Sequence, residues 1–231
     1  MTKALALLIP GLDGTGRLYY RQLERLSARY RVRPWEFRQA GRFGYVDLVD
    51  ELARATAGEP PATIVVVGES FGGTVALHFA LACPDRVGTL ALVNTFASYR
   101  RRWAIGLACR LSALLSRSAA RRVKDLVAER TLALEGIPPE DRRRYREVVR
   151  AVDLAAYRRR LELARAVDLR ARLGEIRART LLFASGRDKI VPSLAEARFM
   201  ASRIPRAVLH EFPRAGHALL LTPEFFLADY L

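Results

Sequence analysis

Ser70 is the residue of this sequence best placed to act as a nucleophile. It lies in Gly68-Glu69-Ser70-Phe71-Gly72-Gly73, between the apolar, β-branched run 62–67 and the segment 74–82, which contains no helix breaker. The first pattern is typical of a buried parallel strand and the second of a helix. A serine among small residues on such a strand-to-helix turn presents its hydroxyl above the sheet, an arrangement called a nucleophile elbow. It indicates acyl transfer through a covalent serine intermediate.

Two later segments supply the base and the acid that a serine nucleophile needs. The hydroxyl is weak until a base takes its proton, and the base needs an acid to orient it. Asp188 follows the predicted strand 180–184, and His217 follows the predicted strand 207–212. Both therefore lie beyond the carboxyl ends of strands, where open α/β sheets place their sites. We predict Ser70, His217 and Asp188 as nucleophile, base and acid; the alternative for Asp188 is a turn-forming residue.

The other histidines fit the base role less well. His78 lies two turns into the predicted helix, and His210 lies inside a predicted strand, whereas His217 follows a glycine in a loop. The segment after the fourth strand, Asn94-Thr95-Phe96, offers no carboxylate that could replace Asp188.

The loop after the first strand is predicted to complete the site. Ester hydrolysis puts negative charge on the carbonyl oxygen, which needs preorganised N–H donors. One donor would be the backbone N–H of Phe71, and the other that of Leu12, in the run Pro10-Gly11-Leu12-Asp13-Gly14-Thr15-Gly16. This glycine-rich run lacks the Gly-Lys-Ser/Thr of a P-loop, so a nucleotide site is rejected.

The sequence resembles the α/β-hydrolase superfamily. More narrowly, the blocks 10–16, 182–193 and 216–221 resemble the esterase, lipase and thioesterase group that includes plastid phytyl ester synthases and their bacterial relatives. The resemblance implies an α/β-hydrolase fold and a Ser-Asp-His order of the active residues along the chain. The plant members carry a further acyltransferase region, whereas this sequence ends at Leu231. We therefore expect hydrolysis rather than acyl transfer to an alcohol.

The length of 231 residues suits one α/β domain with an inserted segment. We predict six mainly parallel strands flanked by helices, at residues 4–9, 32–37, 63–67, 87–93, 180–184 and 207–212. Residues 1–96 and 173–231 would form the core. Residues 97–172 show no strand pattern and are predicted to form a helical, arginine-rich cap after the fourth strand. One cap helix, from Trp103 to Leu115, is predicted to be apolar on most faces.

Most of the positive charge lies in and beside the predicted cap. The chain carries a formal charge of +15, and residues 97–180 hold 22 Lys and Arg against 10 Asp and Glu. The arginines cluster at residues 100–102, 121–122, 142–144 and 158–160. One interpretation is a solvated face. The other is attraction to an anionic partner, such as an acidic carrier protein, an acyl-CoA phosphate or an anionic membrane surface. Nucleic acid ranks low because no aromatic-studded basic surface accompanies the charge.

The remaining features favour a cytoplasmic protein that could touch membranes through the cap. Cys83 and Cys109 both lie in apolar helical context, which favours buried thiols over a disulfide. The apolar run near the N-terminus is short, lacks a cleavage site and is needed as the first strand.

The predicted function is cleavage of a carboxylic ester with a hydrophobic acyl group through an acyl-enzyme on Ser70. The mechanism needs no metal or organic cofactor. Alternatives within hydrolysis are a thioesterase or an acyl-carrier methyl ester esterase. An alternative of another class is a non-catalytic binding protein that retains the fold. The role of Glu69, beside the nucleophile, stays open between tuning His217 and capping the helix.

Overall fold

A computed structural model describes residues 3–99 and 136–231 of the chain. The described residues form one six-stranded sheet in the order β2-β1-β3-β4-β5-β6, and all neighbouring strands are parallel. The strands are β1 (Leu5–Ile9), β2 (Arg31–Pro34), β3 (Ile64–Glu69), β4 (Val87–Val93), β5 (Arg179–Ser185) and β6 (Ala207–Phe212). The prediction of six parallel strands is confirmed.

Helices cover both faces of the sheet. They are α1 (Tyr20–Arg29), α2 (Tyr45–Ala55), α3 (Phe71–Ala82), α4 (Pro139–Ala151), α5 (Leu154–Ala166) and α6 (Ser193–Ala201). Short 3₁₀ helices lie at Arg17–Tyr19, Arg170–Glu175, Leu219–Leu221 and Leu227–Asp229. In the described part of the chain, none of these helices is long and apolar enough to cross a membrane.

The central strands are apolar throughout because both of their faces are buried. Alternate residues of β1 illustrate this arrangement. Leu5, Leu7 and Ile9 pack into the core shared with α2, α3 and α6, while Ala6 and Leu8 face the core shared with α1 and the C-terminal segment. All five residues are 0% exposed. Parallel strands placed in this way bring their carboxyl ends, and the loops that follow them, to one edge of the sheet.

The edge strand β2 is shorter than the predicted strand 32–37. It pairs with β1 only as far as Pro34. Beyond that point the chain turns to the loop after β1, because the Phe37 N–H donates to the Gly14 carbonyl over 2.8 Å. The backbone after Pro34 therefore supports the glycine-rich loop instead of extending the sheet.

The two ends of the segment inserted after β4 lie next to each other at the core. Ser98 forms an isolated antiparallel bridge with Asp168, and the Leu169 N–H donates to the Ala97 carbonyl over 2.9 Å. Among the described residues of this insertion, α4 and α5 are its α-helices. The predicted cap helix around Trp103 and Leu114 lies outside the described residues, as do Cys109 and the arginine clusters at 100–102 and 121–122.

Candidate active site

Ser70 occupies a sharp turn between β3 and α3. Its backbone has φ 52° and ψ −119°, a conformation that a non-glycine residue rarely adopts and that costs about 1–3 kcal/mol. The turn is held by a hydrogen bond from the Ser70 N–H to the Val93 carbonyl (2.9 Å) and by the Thr95 hydroxyl, which donates to the Ser70 carbonyl (2.6 Å). A Cβ added to Gly72 would lie 2.3 Å from the Ile9 carbonyl oxygen, so only glycine fits there.

The structure brings Ser70, His217 and Asp188 into one chain of hydrogen bonds. The Ser70 Oγ lies 3.0 Å from His217 Nε2, and His217 Nδ1 lies 2.7 Å from Asp188 Oδ2. A carboxylate can only accept, so Nδ1 carries the proton that the imidazole shares with Asp188. In the neutral ring this leaves Nε2 as the acceptor for the Ser70 hydroxyl. The serine is thereby aligned with a base.

Asp188 is held ionised by the loop that carries it. Its carboxylate accepts the N–H groups of Ile190 and Val191, each over 2.9 Å, and the Ser193 hydroxyl. Burial alone would raise the pKa of Asp188, but the charge of His217 and these hydrogen bonds outweigh it and lower the pKa. The turn-forming role considered for Asp188 is therefore also present, since the same carboxylate organises the turn and contacts His217.

The same two influences, burial and the opposite charge of the partner, shift the pKa of His217 in the opposite directions. Its ring is buried, which disfavours the charged form, but the neighbouring Asp188 carboxylate overrides this effect and raises the pKa of His217. A base that gains a proton next to a fixed carboxylate becomes an imidazolium stabilised in place.

Glu69 is a second carboxylate beside His217. Its Oε1 lies 3.8 Å from His217 Nε2, and its side chain is 15% exposed. Burial, opposed by His217 and reinforced by Asp13, raises the pKa of Glu69 to about 7. Its carboxylate also lies against Gly11, where an added Cβ would be 2.3 Å from Oε2. Glu69 is thus packed between the imidazole and the glycine-rich loop rather than turned to solvent.

The two predicted oxyanion donors flank the elbow. Phe71 is the first residue of α3, and Leu12 lies in the loop after β1. Gly11 brings that loop against the elbow, since a Cβ there would be 3.5 Å from the Ser70 Cβ. Within residues 3–99 and 136–231, neither the Leu12 N–H nor the Phe71 N–H forms a hydrogen bond.

Asn94 is a residue of the site that the sequence did not single out. Its side-chain amide donates to the His217 carbonyl (2.9 Å) and to the Ser185 hydroxyl (2.9 Å), and its Oδ1 accepts the Ser185 N–H (2.9 Å). It therefore ties the end of β4 to β5 and to the loop that carries His217. Its position in the sequence could have identified it, because Asn94 directly follows a strand and lies at the edge of the sheet where the other site residues lie.

Arg160 was predicted only as part of a basic cluster, but it is buried. The buried residues of α5 are Ala156, Arg160, Leu163 and Ala164, which follow helical spacing. Its position on this apolar stripe distinguishes Arg160 from Arg158 and Arg159, and helical periodicity could have identified it.

The remaining histidines are engaged elsewhere. His78 Nδ1 lies 2.8 Å from the Thr74 carbonyl oxygen, and its ring stacks on Tyr45. His210 stacks on Phe183 in the sheet. In the described ranges, no group of three or more His, Cys, Asp or Glu residues is arranged to hold a metal ion.

Comparison with known proteins places this fold in a family. Residues 6–229 match the alpha/beta hydrolase family. The chain belongs to the alpha/beta hydrolase family. It is 30% identical over 220 residues to the pimeloyl-[acyl-carrier protein] methyl ester esterase of Nitrosomonas europaea, covering 90% of this chain and 86% of that protein. It is 28% identical over 255 aligned positions to a Caulobacter segnis protein named as a putative carbamate hydrolase, covering 97% and 88%.

A solved structure agrees on the fold. The esterase of Exiguobacterium antarcticum superposes with a TM-score of 0.82, covering 95% of this chain and 87% of its own, at 16% identity. The predicted α/β-hydrolase fold is confirmed. The narrower resemblance to plastid phytyl ester synthases stays a prediction.

Proposed function

We propose that this alpha/beta hydrolase cleaves carboxylic esters with a hydrophobic acyl group through an acyl-enzyme on Ser70. The observation that carries the proposal is the hydrogen-bonded chain from Ser70 Oγ through His217 to Asp188, at 3.0 and 2.7 Å. These distances are within the range required for proton transfer from a nucleophile to its base.

In the proposed acylation, Ser70 Oγ attacks the ester carbonyl carbon while His217 Nε2 takes the hydroxyl proton. The carbonyl oxygen becomes an oxyanion, which the Leu12 and Phe71 N–H groups would stabilise. His217 then gives its proton to the departing alcohol, and the carbon–oxygen bond to that alcohol breaks. Asp188 keeps the imidazole in one tautomer throughout.

In the proposed deacylation, water replaces the alcohol. His217 takes one proton from the water, whose oxygen attacks the acyl carbon. Collapse of the second tetrahedral intermediate returns the proton to Ser70 Oγ and releases the carboxylic acid. Every proton in this cycle passes through His217 Nε2, so the chain itself supplies each acid and base that hydrolysis needs.

An apolar cluster beside the loops that carry Asp188 and His217 supports a hydrophobic acyl group. Helix α4 and Ile137, two residues before it, pack against the loops that carry Asp188 and His217. The cluster comprises Tyr20, Ile137, Tyr145, Ile190, Ala218 and Leu221. Ala218 directly follows His217, and Ile190 lies two residues after Asp188. We propose that residues 97–172 act as a cap whose apolar side contacts the acyl chain.

A second candidate is an acyl-carrier methyl ester esterase, with a thioesterase as its close variant. The Nitrosomonas europaea relative is named for this substrate, and it aligns over 90% of the chain. The exposed arginines of α4 and α5 would suit an acidic carrier protein. Parallel assays with a free methyl ester, a carrier-linked methyl ester and a carrier-linked thioester distinguish the candidates, because only a carrier-dependent enzyme prefers the linked forms.

The first test is turnover of p-nitrophenyl esters from acetyl to palmitoyl by wild type and by Ser70→Ala. We expect Ser70→Ala to lower kcat by at least about 10⁴-fold without unfolding the protein. Turnover within tenfold of wild type would exclude Ser70 as the nucleophile. The chain-length optimum measures the length of acyl group that the site accepts.

A fluorophosphonate probe tests the non-catalytic alternative. An activated serine reacts with it quickly, so wild type should be labelled and Ser70→Ala should not. A folded wild type that stays unlabelled would favour a binding protein over an enzyme.

A further inference from the structure

Arg160 is a fully buried arginine next to the glycine-rich loop. It is 0% exposed, and burial lowers the pKa of its guanidinium. Within residues 3–99 and 136–231, no carboxylate forms a salt bridge with it, and its Nη1 has no hydrogen-bond partner. A buried charge without an ion pair is costly. The charge of Asp13 partly offsets the effect of burial, but the hydrogen bonds of the guanidinium go to backbone carbonyls.

The guanidinium instead binds two consecutive carbonyl groups of the loop. Arg160 Nε donates to the Leu12 carbonyl over 3.0 Å, and Nη2 donates to the Asp13 carbonyl over 3.3 Å. The next residue, Gly14, leaves room for the planar group, since an added Cβ would lie 2.7 Å from Arg160 Cζ. Gly14 also has φ +72°, which favours glycine.

These contacts fix the backbone around the Leu12 N–H. The Gly14 N–H donates to the Gly11 carbonyl over 3.1 Å, which closes the turn on one side. Arg160 fixes the Leu12–Asp13 and Asp13–Gly14 peptide planes on the other side, because each plane carries one of the bound carbonyls. The Asp13 side chain is engaged by Thr15, whose N–H and hydroxyl donate to Oδ2 over 2.9 and 2.6 Å. The Leu12 N–H itself lies in the Gly11–Leu12 peptide plane, whose carbonyl accepts the Gly14 N–H. Because that Gly14 N–H belongs to the Asp13–Gly14 plane bound by Arg160, the contact from α5 reaches the Leu12 N–H through the turn.

We propose that Arg160 is a positioning residue that holds the Leu12 N–H toward the oxyanion and so makes the oxyanion hole depend on α5. This inference rests on the proposed function. A donor held before the reaction needs no reorganisation as charge develops on the carbonyl oxygen. Without the guanidinium, the peptide planes of the loop can rotate and the Leu12 N–H can turn away from the carbonyl oxygen. This weakens the stabilisation of the transition state more than the binding of the substrate.

Arg159 offers a matched control on the same helix. It too donates to a carbonyl of the core, since its Nε binds the Phe43 carbonyl over 2.6 Å, and it pairs with Glu162 over 3.0 Å. Arg159→Met therefore removes an equivalent guanidinium–backbone contact away from the oxyanion loop. Any general effect of loosening α5 should be visible in this variant.

The experiment compares Arg160→Met, Arg160→Lys and Arg159→Met with wild type on p-nitrophenyl butyrate. Removal of one oxyanion donor costs about 10²–10³ in kcat, so misplacing the donor should lower kcat by about 10–100-fold with KM within threefold. The affinity for an aryl trifluoromethyl ketone, whose adduct with Ser70 carries an oxyanion, should fall by the same factor. The affinity for the corresponding alcohol, which forms no adduct, should stay unchanged.

The conservative variant separates positioning from folding. Lysine keeps the charge but cannot bind two carbonyls with a planar fork, so Arg160→Lys should fold and recover only part of kcat. The proposal is overturned if a folded Arg160 variant keeps kcat within threefold of wild type or changes only in KM. It is also overturned if Arg159→Met lowers kcat as much as Arg160→Met does.

Failure of the proposed ester hydrolysis can be distinguished from failure of the role proposed for Arg160. If wild type turns over no ester, the rate of fluorophosphonate labelling of Ser70 becomes the measurement. Slower labelling of Arg160→Met than of Arg159→Met would keep the positioning role, while equal rates, or an unlabelled wild type, would end it.

Discussion

Glu69 directly precedes Ser70, the proposed nucleophile, and lies beside the ring nitrogen of His217 that is proposed to act as the base. Its Oε1 lies 3.8 Å from His217 Nε2, the nitrogen that also contacts Ser70 Oγ at 3.0 Å. With its pKa raised to about 7, chiefly by burial, the Glu69 carboxyl titrates close to neutral pH. The ionised form favours the imidazolium, which cannot accept the serine proton. We therefore expect Glu69, together with Asp188, to influence the pH at which His217 can accept that proton.

Replacing Glu69 by glutamine should extend activity to lower pH. The neutral amide removes one of the charges that raise the pKa of His217, so the imidazole stays unprotonated further into the acid range. The acid limb of kcat/KM against pH should move to lower pH in Glu69→Gln. An unchanged limb, with wild-type turnover at its plateau, would show that Glu69 does not act on His217.

The same variant should also change how stability depends on pH. The pKa of Glu69 rises from 4.5, its ordinary value in an unfolded chain, to about 7 in the fold, so between these values the folded state holds a proton that the unfolded chain has lost. Wild type therefore loses stability as pH rises from 4.5 to 7. The free energy of unfolding of Glu69→Gln should therefore rise relative to that of wild type across this pH window, by on the order of 3 kcal/mol. This value follows from about 1.4 kcal/mol for each unit of the pKa difference. Urea unfolding at pH 4.5 and 8 measures the gain, and a constant difference would contradict it.

At the scale of elements, the end of β4 organises the site although it contributes no acid or base. Asn94 has φ 45° and places its amide between Ser185 and the His217 carbonyl. Its removal would leave the Ser185 N–H and the His217 carbonyl without their buried partner. Asn94→Ala should therefore lower the free energy of unfolding by about 2–4 kcal/mol and lower kcat as the His217 loop loosens.

Asn94→Gly is the control for this prediction. Glycine tolerates the positive φ but also lacks the amide, so both variants should lose the hydrogen bonds and only Asn94→Ala should add backbone strain. Stabilities of both variants within about 0.5 kcal/mol of wild type, a range typical of neutral surface changes, would show that the amide does not stabilise the fold.

The elements also show how far sequence patterns reach. The run 62–67 predicts a strand because a continuous apolar stretch before a glycine turn is compatible with few other structures. The observed strand β3 extends to Glu69, because Gly68 and Glu69 still pair with Leu92 and Val93 of β4. The expected positions of Ser70, Asp188 and His217 after strands agree with the ends of β3, β5 and β6. The roles of Asn94 and Arg160 depend on partners 123 and 148 positions away, which no local pattern contains.

Across the whole molecule, the charge of +15 is not a uniform basic surface. Three adjacent arginines of α4 have different environments. Arg142 Nε donates to the Ile137 carbonyl over 2.8 Å, and the guanidinium of Arg144 lies 3.8 Å from the centre of the Tyr20 ring. Arg143 is exposed. Reversing all three charges would therefore damage the packing of α4 as well as its surface, so the test of a docking face belongs on Arg143.

Arg143→Glu should weaken the use of an acidic acyl-carrier substrate, and Arg206→Glu is its control. Both residues are exposed, both changes alter the net charge by the same amount, and Arg206 precedes β6 at the amino edge of the sheet, away from Ser70. A local contact predicts that only Arg143→Glu lowers kcat/KM for a carrier-linked methyl ester, by about 3–10-fold at low salt, and reduces the dependence on salt concentration. Equal effects of the two variants would mean that net charge alone attracts the carrier, and no effect of either would return Arg143 to a solvated face.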